Sequence, residues 1–147
     1  MTNTREGISM LRTGIAKMLT EMVTMDNTAR SLGSGSLLVY GTPAMLTLVE
    51  KTAVALLEGR LEEGMTSVGI KLDIDHIAPT PVGGKIACAV TLKEIDRRKL
   101  VFGVLVEDQT GIIGKGTHER FLVEADSFQA KADARLLYPD DEDWDDD

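Results

Sequence analysis

The sequence predicts an α+β domain in which a curved antiparallel sheet wraps one long central helix. Three observations carry that expectation. The stretch from Thr42 to Gly59 is apolar or small on nearly every face at helical spacing. After it the period shortens to strict alternation, and four strand-like runs follow in succession. Turn residues separate those runs, as hairpins require.

The helix signal comes first because the rest is arranged around it. Thr42 reads as its N-cap, Pro43 as its first residue and Gly59 as its stop. A helix so apolar needs something wrapped about it. Lys51 and Glu58 mark a solvated edge, whereas Glu50 has Leu46, Thr47, Ala53 and Val54 one turn away.

Taken in order, residues 1–13 carry no clear pattern and read as a lead-in. Residues 14–25 suit a first strand, Asp26-Asn27-Thr28 offers turn chemistry, and Leu32-Gly33-Ser34-Gly35-Ser36 reads as a loop. Beyond the helix, Val68, Ile70, Leu72, Ile74, His76 and Ala78 alternate with Gly69, Lys71, Asp73 and Asp75. Pro79-Thr80-Pro81-Val82-Gly83-Gly84 ends that strand. Ile86, Cys88, Val90 and Leu92 line the next, which turns through Asp96-Arg97-Arg98. A fourth strand spans 100–107, and Asp108-Gln109-Thr110-Gly111 closes a hairpin to a fifth at 112–124. Residues 126–137 suit a short terminal helix. The expected organisation is thus one domain over 14–137 and an acidic, disordered tail over 138–147. A single sheet of this kind leaves edges and apolar area uncovered, so a dimer pairing edge strands is expected.

The totals narrow the function classes. At 147 residues the chain can bury a real core. Its one cysteine, Cys88, allows no internal disulfide and suits a reducing, cytoplasmic compartment. No apolar run approaches a membrane span, and no signal-peptide pattern opens the chain. The net charge of −8 is concentrated: Asp140 to Asp147 holds seven acids and no base, which leaves −1 for the remainder. That near-neutral body offers no footprint for nucleic acid.

Three residues stand out chemically. A mid-helix acid is ordinarily solvated, but Glu50 lies in an apolar stripe. A carboxylate in apolar surroundings resists ionisation, a property acid–base chemistry uses; it is also able to attack a carbonyl. His76 ends an apolar strand face and should point inward near the sheet's rim. Thr42 has an ordinary capping explanation; its alternative is a hydroxyl at the positive helix end, where an oxyanion would be stabilised. Thr42 and Glu50 lie eight residues apart, about 12 Å along a regular helix, so they share a site only if the chain bends, the substrate spans them or a second subunit contributes. Two unclustered histidines, His76 and His118, argue against zinc. Arg120 beside His118 could meet a phosphate, although an edge-strand Arg is usually just solvated.

With those residues on view, the chain resembles the hotdog-fold thioesterases, particularly the fluoroacetyl-CoA thioesterase-like family. The resemblance rests on Asn27-Thr28-Ala29, Leu32-Gly33-Ser34-Gly35, Thr42-Pro43-Ala44, the run Met45 to Ala53 with Glu50, Gly69, His76 to Gly83, and Gly116-Thr117-His118-Glu119-Arg120. It implies a homodimer, with higher assembly open, hydrolysing an acyl-CoA thioester at the subunit interface. The family's catalytic Thr, Glu and His would fall on Thr42, Glu50 and His76, with Gly69 and Arg120 as substrate contacts. No metal and no cofactor is implied, because the CoA moiety is part of the substrate. One departure is that no aromatic residue lies between Thr28 and Val39. Material for an aromatic lid is therefore missing, and the expectation does not extend to fluoroacyl selectivity. The alternatives are a non-catalytic acyl-CoA or small-ligand binding dimer, and hydration of an enoyl thioester on the same fold.

Overall fold

A computed structural model describes residues 11–137. Most of the expected lead-in, residues 1–10, and the whole acidic tail at 138–147 lie outside the described residues. Leu11, at the end of that lead-in, is buried in the core.

The first elements among the described residues are β1 (Ala16–Met22), a single 3₁₀ turn and a four-residue helix, α1 (Ala29–Leu32). It then enters α2 (Thr42–Leu57), the central helix. The N-cap is Gly41, not Thr42 as expected. The reason is space: a Cβ on Gly41 would lie 3.0 Å from Leu32 Cδ1 and 3.1 Å from the Ala29 backbone nitrogen. A capping side chain has no room there, so Thr42 becomes the first helical residue and its hydroxyl is free for another partner. At the far end the helix stops at Leu57, and Gly59 turns the chain away with φ +77°.

Four long strands follow: β2 (Met65–His76), β3 (Lys85–Asp96), β4 (Lys99–Asp108) and β5 (Gly111–Glu124), then α3 (Ala125–Leu137). The sheet is antiparallel throughout, in the order β1-β3-β4-β5-β2. Only β3, β4 and β5 are hairpin neighbours. β2 crosses to the far side and pairs with β5, so β1 and the twelve-residue β2 are the two edges. The inward faces of β3 and β4 read as alternation predicts: Ile86, Cys88, Val90 and Leu92, then Leu100, Phe102 and Val106, all buried. Against them lie Met45, Leu48, Val49, Ala53 and Leu56 of α2.

The helix is not wrapped all round. Thr47, Lys51, Val54 and Glu58 form an exposed stripe at helical spacing on the side away from the core. Val54 is 49% exposed although apolar. Among the described residues no helix is long and apolar enough to cross a membrane.

The third departure lies in β2. Strict alternation places Gly69 opposite to His76. The register with β5 instead shifts between Gly69 and Lys71, leaving Ile70 bulged and 51% exposed. Across this bulge the inward face passes from Ser67 and Gly69 to Leu72, Ile74 and His76. Gly69 thus faces α2. A Cβ there would collide with a carboxylate oxygen of Glu50 and lie 3.2 Å from Arg120 Nη1.

Candidate active site

The structure gathers the expected residues into two groups along α2, not one. At the helix start, Thr42 Oγ1 lies 2.8 Å from His76 Nδ1. The first helical bond runs from the Met45 N–H to Gly41 O, so the backbone N–H groups of Thr42 and Ala44 precede the hydrogen-bonded ladder at the positive helix end. The His76 and Tyr40 rings meet in a T-shaped contact, with centroids 6.4 Å apart and planes at 74°. Tyr40 is itself buried, and its hydroxyl donates to Glu21 Oε2 at 2.5 Å. Burial and that carboxylate push the phenol's pKa far above its ordinary value.

His76 Nε2 is buried and has no hydrogen-bond partner among the described residues. Burial draws the imidazole below its usual range, while the Ala78 backbone acts weakly the other way. The ring is therefore neutral at pH 7. It is a base with one nitrogen engaged by Thr42 and one open.

Midway along α2, Glu50 Oε2 accepts from Arg120 Nη1 at 3.3 Å. The desolvation expected around Glu50 is absent in the single chain: its side chain is 43% exposed, against 7% for Arg120. The cause is the open stripe. Glu50 stands at its margin, over a groove of about 430 Å³ lined by Thr47, Lys51, Val54, Ala55, Glu58 and Arg120.

Arg120 is not a solvated edge residue, because β5 is an interior strand. Its Nε donates to Ser67 Oγ at 2.8 Å and its Nη2 to Ser67 O at 3.2 Å. Nη1 also lies 3.1 Å from His118 Nε2. Gly69 pairs with Arg120 across the β2–β5 ladder and leaves the room in which Glu50 and the guanidinium meet. Gly69, Glu50 and Arg120 therefore form one group, and Thr42 and His76 another. No hydrogen bond links the two among the described residues.

Sequence reasoning missed Ser67 and Tyr40 as members of these groups, and it set His118 beside Arg120 without giving the histidine a role. The i, i+2 spacing of His118 and Arg120 on an inward face was a usable signal. Ser67 was hidden by the bulge. Among the described residues no group of three His, Cys, Asp or Glu side chains could hold a metal ion.

Solved structures place this architecture in the hotdog class. The fluoroacetyl-CoA thioesterase FlK matches with a TM-score of 0.80 at 28% identity, over 85% of this chain and 97% of that one. A hot-dog-like protein from Thermanaerovibrio acidaminovorans matches with a TM-score of 0.80 at 23% identity, over 86% and 94% of the two chains, a likeness of fold alone. The fluoroacetyl-CoA thioesterase of Streptantibioticus cattleyicolor is 33% identical over 93 residues, 63% of this chain and 67% of that protein. The family model for fluoroacetyl-CoA-specific thioesterases matches residues 23–126. The chain belongs to this family, and so to the thioester hydrolases.

Proposed function

We propose that the protein hydrolyses an acyl-CoA thioester to the free acid and CoA, at a site completed across a homodimer interface. The observation that carries this is the Thr42–His76 hydrogen bond backed by a buried, unpartnered Nε2. Glu50 of the same chain stands about 12 Å along the helix from Thr42, and no hydrogen bond links it to His76 among the described residues. A second subunit can bring its own Glu50 group to the first group. The unpaired β2 edge and the open stripe on α2, with Val54 exposed, are surfaces such a subunit would cover.

In this reading Glu50 acts on the thioester carbonyl, either directly as nucleophile or as base toward water. His76 exchanges the proton, and Thr42 with the helix N–H groups stabilises the oxyanion. A C–O bond forms from water, the C–S bond breaks, and the water's proton ends on the CoA sulfur. Gly69 and Arg120 contact the substrate. CoA enters as part of the substrate, and no separate cofactor takes part. The partners are acyl-CoA and further copies of the chain, neither nucleic acid nor membrane, in a reducing cytoplasm that leaves Cys88 as a free thiol.

Free-thiol release from a panel of short, branched and aromatic acyl-CoAs tests the reaction. Turnover that Glu50→Ala and His76→Ala both abolish is the expected result. No release with CoA-ester binding intact would make the protein a binding module, and an enoyl substrate hydrated with its thioester retained would indicate a hydratase. Mixing the two inactive variants tests the composite site: random re-pairing restores about a quarter of wild-type turnover if each site draws on both subunits, and none if it does not.

A further inference from the structure

His118 is wholly buried on the inward face of β5, two residues before Arg120. Its ring stacks on Phe102 of β4, with centroids 6.0 Å apart and planes at 26°. Nδ1 lies 2.8 Å from the Lys71 carbonyl oxygen. A carbonyl only accepts, so Nδ1 carries a proton. Nε2 lies 3.1 Å from Arg120 Nη1. A guanidinium nitrogen only donates, so Nε2 presents a lone pair. The two contacts together fix one state, the neutral ring protonated on Nδ1. A proton on Nε2 would set two N–H groups against each other and two cations in contact. Burial, the largest influence, draws the ring's pKa below the usual imidazole range; the Lys71 carbonyl opposes it, Arg120 adds to the lowering, and Glu50 and Glu119 oppose it more weakly.

The arrangement matters because of how Arg120 distributes its donors. Nε and Nη2 are taken by Ser67, which fixes the plane of the guanidinium. Nη1 has two hydrogens and two acceptors within reach, His118 Nε2 at 3.1 Å and Glu50 Oε2 at 3.3 Å. The Glu50 contact is long for a charge-assisted bond, which ordinarily closes to about 2.7–2.9 Å. A donor drawn toward a second acceptor gives this geometry.

We propose that His118 is a positioning residue: by accepting one Nη1 hydrogen as a neutral imidazole, it limits Arg120's grip on Glu50 and keeps that carboxylate available to the substrate. The proposal rests on the catalytic reading of Glu50 given above. Without the imidazole, an Nη1 hydrogen loses its acceptor, and the half-exposed Glu50 carboxylate, the other acceptor that Nη1 has among the described residues, shifts toward it and tightens the ion pair. Ser67 still holds the guanidinium, so the substrate contact of Arg120 survives.

The test compares His118→Phe, which keeps a ring against Phe102 but offers no lone pair, with His118→Gln, whose amide oxygen can accept from Nη1. In variants with cooperative melting, His118→Phe should lower kcat by about tenfold or more with KM within about twofold, and His118→Gln should recover to within about threefold of wild type. Equal loss in both folded variants, or loss in neither, overturns the proposal. Side-chain ¹⁵N NMR of the wild-type chain gives an arm independent of activity. A neutral ring at pH 7 with Nδ1 protonated and Nε2 bare upholds the arrangement, and a protonated Nε2 overturns it. If no acyl-CoA releases thiol, the reading of Glu50 fails while the NMR arm still decides the state of His118.

Discussion

The two groups along α2 are built on opposite plans. At the helix start Thr42 and His76 share one hydrogen bond, and a buried nitrogen is left over. Midway along, Arg120 is engaged by Ser67, His118 and Glu50 on all three of its nitrogens. The first group is incomplete within the chain and the second nearly saturated. An incomplete buried group is costly unless something arrives to satisfy it. A saturated one resists displacement and suits orientation. The difference separates proton exchange from positioning.

The largest effect should come from emptying the incomplete group. His76→Ala removes the side chain that engages the Thr42 hydroxyl among the described residues, and turnover should fall by roughly 10²–10⁴-fold with CoA-ester binding retained. Turnover that persists would place the chemistry elsewhere. The saturated group is best broken from beneath. Gly69→Ala puts a methyl group into Glu50 and against Arg120. We expect a stability loss of about 1–3 kcal/mol by thermal melting, together with reduced kcat/KM. A variant unchanged in both would mean that the carboxylate moves aside freely.

Acid should act on both groups at once. His76 and His118 are each held neutral by burial, with folded-state pKa values below that of a free imidazole. The unfolded chain therefore binds protons first as pH falls through about 6.5. Stability is fully present above that pH and is lost progressively below it, down to the folded-state values. The melting temperature should thus be level above pH 7 and decline on acidification. His118→Gln, which removes one of the two titrating groups, should make the decline shallower; an identical slope would mean that His118 does not resist protonation in the folded protein.

The smallest effect should come from the support of the first group. Tyr40→Phe keeps the ring against His76 but deprives Glu21 of its donor. It should cost about 1–2 kcal/mol in melting experiments, with kcat within about threefold of wild type. A large loss of kcat in a folded variant would extend the proton path to Tyr40 and Glu21.

Much of this was legible in the residues. The period change after Gly59 separated helix from sheet, because β3 and β4 alternate with few faults. His76 pointed inward as its strand face required. The failures have local causes. Thr42 lost the cap because Gly41 has Ala29 and Leu32 packed against it, a contact no local pattern encodes. Glu50 looked enclosed because its helix neighbours are apolar, but periodicity does not say which side the sheet leaves uncovered. Pairing β2 with β5 was equally hidden, since alternation is the same whichever neighbour a strand chooses. Gly69 failed for the simplest reason: a bulge reverses every face assignment on one side of it.

That reversal carries a consequence of parity. Gly69 and His76 are seven residues apart, an odd separation, and in a regular strand they would face opposite ways. The extra residue at Ile70 turns odd into even, so that one strand serves both groups. With the bulge kept, losing or gaining one residue between them would send Gly69 or His76 to the outer surface; losing the bulged residue itself would leave a separation of six, which a regular strand serves without a bulge. Length and bulge are therefore tied in this segment: a change of one residue keeps both groups only if the bulge is lost, and a change of two only if it stays, even where the side chains are free to differ.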